Sequence, residues 1–237
     1  MRLVRFATSE TPSKPGIMVD DRIIALSDLL PEAPIDMISV IERWDEIKGT
    51  VAKRIKENAG SPVHNATLLA PIGRPGKIVA IGLNYADHIE EAKNAGVKIP
   101  TEQVWFCKQA TSVNSPFGGI HKPIVSDQLY YEVELVVVIG KKGRRISTQR
   151  APDHVFGYTV GDDVSVRDWQ QKTLQWMLGK SFDTHCPFGP SIVTADEIGT
   201  RTCLGCGPSS MANRAKTRTP GTWSLTFGNR SPSFRRP

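Results

Sequence analysis

The chain has 237 residues, enough for one large domain or two modest ones. Apolar residues make up 39% and charged residues 23%, the proportions of a globular protein rather than a disordered one. No stretch approaches the roughly 18 apolar residues that a transmembrane helix needs. The opening MRLVRFATSE lacks the apolar core of a signal peptide, so a cytoplasmic location without membrane contact is expected. Four cysteines are too few for a disulfide scaffold at this length. The net charge of +6 is concentrated at one end: residues 200–237 carry seven Lys or Arg and no Asp or Glu. The remainder is nearly neutral, and nucleic acid is not an expected partner of the main body.

Arg2–Ala7, Ile17–Val19 and Arg22–Leu26 read as short strands, with Asp20 and Asp21 turning the second into the third. From Ile35 the pattern changes. Ile35, Ile38, Ile41, Trp44, Ile47, Val51 and Ile55 recur every three or four residues, which predicts an amphipathic helix or helix pair interrupted near Gly49. The segment APIGRPG (70–76) holds two Pro and two Gly and sets a boundary. Residues 1–70 are therefore expected to form a small α+β unit and 71–199 a second domain.

That second domain opens with Lys77–Gly82 (KIVAIG), read as a buried strand. Leu135–Ile139 (LVVVI) is a continuous apolar run, as in a strand covered on both faces. Phe156–Val160 is a third strand. Ser165 with Asp168 three residues on has the form of a capping box, predicting a helix through about Leu178. Pro187-Phe188-Gly189-Pro190 is expected to end the local regularity.

Chemistry concentrates around a few acids. Glu132 and Glu134 stand at i and i+2 before LVVVI, which would aim both carboxylates at one face of a strand. Asp163, closing GYTVGDD, could supply a third, and three carboxylates suit a hard ion such as Mg²⁺ or Mn²⁺. The same pair also suits a solvated strand face. His88 and Glu91 in NYADHIEEA would share a helical face as a hydrogen-bonded general-base dyad, or lie on a charged surface helix. Lys180 could meet an anionic substrate or simply end a helix. Cys203 and Cys206 form a C-x-x-C with no further zinc ligands spaced nearby.

Four segments in order, KIVAIGLNYADHIEEA, YYEVELVVVIGKKGRRI, GYTVGDDVSVRDWQ and GKSFDTHCPFGP, resemble the fumarylacetoacetate hydrolase family from about Lys77 to Gly199. The resemblance implies a mixed α+β fold, with a β-roll or barrel-like catalytic domain behind a small N-terminal domain. It implies a metal, Mg²⁺ or Mn²⁺, on Glu132, Glu134 and Asp163. His88 and Glu91 would be the water-activating dyad on a lid, and Arg167, Gln170 and Lys180 would contact the substrate's oxo-acid end. Two positions depart from the family pattern: Tyr130 stands where an Asp is usual, and Asp162 where an Asn is usual.

The implied activity is hydrolysis of a C–C bond in acylpyruvate-like or fumarylpyruvate-like dicarbonyl acids, as in aromatic catabolism, by a protein that pairs as a homodimer. Decarboxylation or isomerisation of 2-oxo diacids would use the same stabilised enolate. The family's later β-rich segment is not recognisable after Gly199. There Val, Ile and every acid vanish, as they do in a shifted reading frame. The expectation is a catalytic domain incomplete at its C-terminus, followed by an aberrant basic tail over 200–237. A reading of another class follows from that tail: an inactive fragment that binds polyanions.

Overall fold

The computed structural model describes residues 1–84, 94, 96 and 100–198. The chain opens with β1 (Arg2–Ala7), β2 (Lys14–Val19) and β3 (Arg22–Ala25), then α1 (Leu26–Leu29), α2 (Met37–Glu42) and α3 (Trp44–Lys56). Next come β4 (Thr67–Leu69), β5 (Ile78–Gly82), β6 (Val104–Lys108), β7 (Val113–Asn114), β8 (Leu129–Tyr130) and β9 (Val133–Ile139). The remainder is β10 (Val155–Asp162), β11 (Ser165–Val166), α4 (Arg167–Gln171), α5 (Met177–Lys180), β12 (Cys186–Thr194) and α6 (Ala195–Ile198).

One eight-stranded, mostly antiparallel sheet organises the molecule, in the order β3-β2-β1-β12-β10-β9, with β4 added to β1 and β7 to β12. The α+β class holds. The barrel-like closure does not: among the described residues the sheet is open, with β3 and β9 at its ends. It also crosses the boundary drawn at residue 70, because Arg2, Leu3 and Val4 of β1 pair with Val193, Ile192 and Ser191 of β12. One core spans both sides, joining Leu3, Ile17, Val40, Trp44 and Val51 to Val138, Phe156 and Ile192.

The helix pair forms, but its break differs from the expected one. Asp36 caps α2 by accepting from the Ser39 N–H at 3.0 Å, and the chain bends at Arg43 rather than Gly49. Gly49 lies inside α3 on an open face, where a side chain would meet nothing within 4 Å. A glycine there costs only about 1 kcal/mol, which burial of Trp44, Ile47 and Val51 outweighs.

Three further expectations fail for tertiary reasons. LVVVI is not covered on both faces: Val137 and Ile139 share one face of β9 and are exposed there, while Val138 on the other face is buried, and Val79 of KIVAIG is likewise half-exposed. Ser165 does not cap a helix. It lies in β11 and donates to the Asp163 carbonyl at 2.9 Å, while Asp168 accepts from the Ser126 hydroxyl, and two short helices replace one long one. Nor does the 187–190 segment end regularity, since it runs inside β12. The ladder there shifts register between Tyr158 and Val160, the kind of bulge that lets Pro190 pass without a donor.

Leu3 is 1% exposed where β1 meets both β12 and the helices. Leu3→Ala is expected to lower unfolding free energy by about 2–5 kcal/mol, read from urea denaturation followed by circular dichroism. A loss below about 1 kcal/mol would mean that β1 does not unite the two halves of the core.

Candidate active site

The two strands that carry the site run antiparallel, Val133 of β9 opposite Asp162 of β10, and their pairing resumes where Tyr130 of β8 faces Ser165 of β11. Glu132 and Asp163 fall in the gap between these two ladders. There the Asp163 N–H donates to the Glu132 carbonyl, and the Glu132 N–H donates to Asp162 Oδ1, both at 2.8 Å. The backbone thereby sets the two acids side by side. Lys180, at the end of α5, places its ammonium between them, 2.7 Å from Glu132 Oε2 and 2.6 Å from Asp163 Oδ2.

Lys180 reaches that point because α5 presses on α4. A side chain at Gly179 would put its first carbon 2.3 Å from the Gln170 nitrogen and 2.6 Å from the Val166 oxygen, so only glycine allows the approach. Lys180 is 2% exposed, which excludes a solvated helix-end lysine. Its ammonium also faces the Phe106 ring at 4.9 Å.

Arg167 completes the cluster. It donates through Nη2 to Glu132 Oε1 at 2.5 Å and through Nη1 to Gln170 Oε1 at 2.6 Å, while its guanidinium lies 5.1 Å from the centre of the Tyr130 ring. Five expected site residues (Glu132, Asp163, Arg167, Gln170 and Lys180) therefore converge. Glu134 lies in β9 opposite Gly161, and among the described residues no three His, Cys, Asp or Glu side chains are grouped to hold a metal ion. His88 and Glu91 lie outside the described residues.

One central residue was missed by sequence reasoning. Lys108 of β6 is 5% exposed and donates to Asp163 Oδ1 at 2.7 Å and to the Val164 carbonyl at 3.2 Å. Its signal was present. Val104, Phe106 and Lys108 alternate on one face of β6, putting a lysine where the period asks for an apolar residue.

Charge and burial set the electrostatics. Burial resists ionisation of Glu132, but the adjacent Lys180 and Arg167 charges overcome it and hold the carboxyl below its usual range. Asp162 goes the other way. Burial pushes it up to about 6, helped by the neighbouring Asp163 and Glu132 charges and opposed by the Glu132 N–H and Lys108. Cys186, behind the cluster, has its thiol pushed up to about 11, chiefly by burial, which keeps it protonated and unreactive. Glu132 Oε2 and Asp163 Oδ2 converge on the Lys180 ammonium, and carboxylate oxygens are the donor type that a hard divalent cation takes.

Comparison with known proteins adds an independent line. The family model described as fumarylacetoacetate (FAA) hydrolase C-terminal matches residues 77–220, running past Gly199. The mitochondrial oxaloacetate tautomerase fahd2 of Xenopus laevis is 43% identical over 211 residues, 86% of this chain and 65% of the relative. The chain thus spans less than two thirds of that protein's length. Among solved structures, the fumarylacetoacetate hydrolase of the psychrophile Exiguobacterium antarcticum is 32% identical with a TM-score of 0.66, covering 83% of this chain and 67% of its own. Maleylpyruvate hydrolase from Sphingobium sp. SYK-6, in complex with manganese(II) ion and pyruvate, is 26% identical with a TM-score of 0.68, covering 84% and 69%.

The raised Asp162 gives a signed pH dependence. Its folded value near 6 lies above the ordinary 3.8, so between these values the native state holds a proton that the unfolded chain has lost. Stability therefore falls as pH rises through that window and stays lower above it. Asn at 162 keeps an oxygen for the Glu132 N–H but cannot ionise. Without added metal, Asp162→Asn is expected to melt above the parent chain at about pH 7.5, the gain vanishing by about pH 4. A gain that does not change with pH in thermal unfolding would contradict the burial argument.

Proposed function

The chain belongs to the fumarylacetoacetate hydrolase family, and on that premise we propose that it catalyses proton transfer on small 2-oxo diacids, interconverting their enol and keto forms. The observation that carries this reading is the buried Lys180 ammonium held between two carboxylates beside Arg167 and Gln170. An enol that becomes a ketone loses its O–H proton and gains one on the adjacent carbon, passing through an enolate. A fixed, desolvated positive charge stabilises that enolate far more than water does.

The residues take distinct parts. Arg167 and Gln170 are already hydrogen-bonded to each other, a planar donor group set to receive the substrate's carboxylate. Lys180 supplies positive charge at the developing enolate oxygen. Lys108 binds Asp163 from the far side and keeps that carboxylate facing the cluster centre. A Mg²⁺ or Mn²⁺ ion on Glu132, Glu134 and Asp163 would supply Lewis-acid polarisation of the 2-oxo acid. His88 and Glu91, assigned by resemblance, would move the proton. The relative named an oxaloacetate tautomerase supports this reaction type.

A second reading, hydrolytic cleavage of an acylpyruvate, uses the same enolate and draws support from the neighbour named maleylpyruvate hydrolase. No helix among the described residues is long and apolar enough to cross a membrane. The expected cytoplasmic location gains no support from the Xenopus laevis relative, whose name places it in the mitochondrion.

The test is decay of the oxaloacetate enol absorbance with the full chain and Mn²⁺, run beside acetylpyruvate cleavage. Acceleration of the first reaction is expected, with Lys180→Met and Glu132→Gln each losing about 10²–10³-fold. Acetylpyruvate cleavage alone would favour hydrolysis. Full activity in Lys180→Met would defeat both readings.

A further inference from the structure

A second group of positive charges, Arg5 of β1 and Arg74 of the loop between β4 and β5, has no residue in common with the cluster around Lys180. Leu3 and Arg5 alternate onto the same side of β1, and Leu3 is in the core. At Arg5 that side receives a guanidinium instead of an apolar group. Its Nε donates to the Ala70 carbonyl at 2.8 Å. Among the described residues, no acceptor serves its Nη1 and Nη2, and no carboxylate pairs with it. Burial also pushes the Arg5 pKa down, as expected for a desolvated charge without a counter-ion.

A side chain at Gly73 would put its first carbon 2.5 Å from Arg5 Nη1, 2.7 Å from Cζ and 2.8 Å from Nη2, so the group lies flat against a bare glycine. A cavity of about 380 Å³ opens there, lined by Arg5, Ser13, Asp36, Met37, Ile72 and Arg74 among others. Arg74 brings a second guanidinium that has no ion pair among the described residues. Asp36, the acid in the wall, is turned to its own helix, accepting from Ser39 N at 3.0 Å and Ser39 Oγ at 2.6 Å.

We propose that this cleft, between the end of β1, residues 70–74 and the start of α2, binds a small organic carboxylate. The planar fork of Arg5 matches a carboxylate's two oxygens. Arg74 adds charge at the mouth, and Met37 and Ile72 offer an apolar wall to a short carbon chain. Inorganic phosphate would satisfy the charge but would leave that wall uncovered.

Isothermal titration of the full chain in EDTA, with succinate and inorganic phosphate as probes, tests the assignment. A succinate site is expected that is weakened about tenfold by Arg5→Gln and by Gly73→Ala and several-fold by Arg74→Gln, and that persists in Arg167→Gln, where any separate binding at the Lys180 cluster is lost. Arg74 is exposed, so Arg74→Gln decides the matter even where Arg5→Gln unfolds the chain, which circular dichroism would reveal. Absent succinate binding, binding lost in Arg167→Gln alone, affinity unmoved by Arg74→Gln, or phosphate bound in preference to succinate would each overturn the proposal.

Discussion

A buried ammonium must be ringed by oxygen, and the way Lys180 meets that need fixes the geometry of everything near it. Its two carboxylate partners lie 2.6 and 2.7 Å away and come from different places: Glu132 before β9, and Asp163 just after β10. Removing one partner from such a pair leaves a desolvated charge and costs about 3–5 kcal/mol. Three chain segments are thus held to one point. Glycine at 179 is the steric condition for this, because any larger residue would push α5 off α4 and carry the ammonium away.

The same cluster joins parts of the fold that share no backbone ladder. β5 and β6 form a separate two-stranded sheet, and Lys108 from β6 reaches into the large sheet to take the remaining oxygen of Asp163. Asp163 therefore binds two ammonium groups, one from each side. Arg167 occupies Glu132 in the same manner. Every charge in this group is matched by a neighbour, the condition under which charged side chains persist in a protein interior. On the proposed reading, a divalent cation at Glu132 and Asp163 would take the place that the Lys180 ammonium holds between them.

Much of this was legible in the sequence where local rules and tertiary context agree. β1 falls on the expected residues because its alternation is set by a core on one side. The acids Glu132 and Asp163 stood out because carboxylates beside apolar runs need a cation. Lys108 was overlooked because a lysine in a strand ordinarily points to water, and only the fold reveals what it meets. LVVVI misled for the opposite reason: continuous apolar sequence implies two covered faces, yet only the face with Val138 is buried among the described residues, and Val137 and Ile139 on the other are exposed. Ser165 and Asp168 had the spacing of a capping box, but each found a better partner in three dimensions, at the Asp163 carbonyl and the Ser126 hydroxyl.

The proposed occupation of Glu132 and Asp163 by a divalent cation is the point on which the chemistry of the site turns. Its most direct measurement is Mn²⁺ titration of the purified full chain, followed by loss of the free-ion electron paramagnetic resonance signal. One bound Mn²⁺ per chain is expected, with affinity reduced at least about tenfold by Glu132→Gln or Asp163→Asn. No Mn²⁺ binding, or binding indifferent to both substitutions, would contradict it.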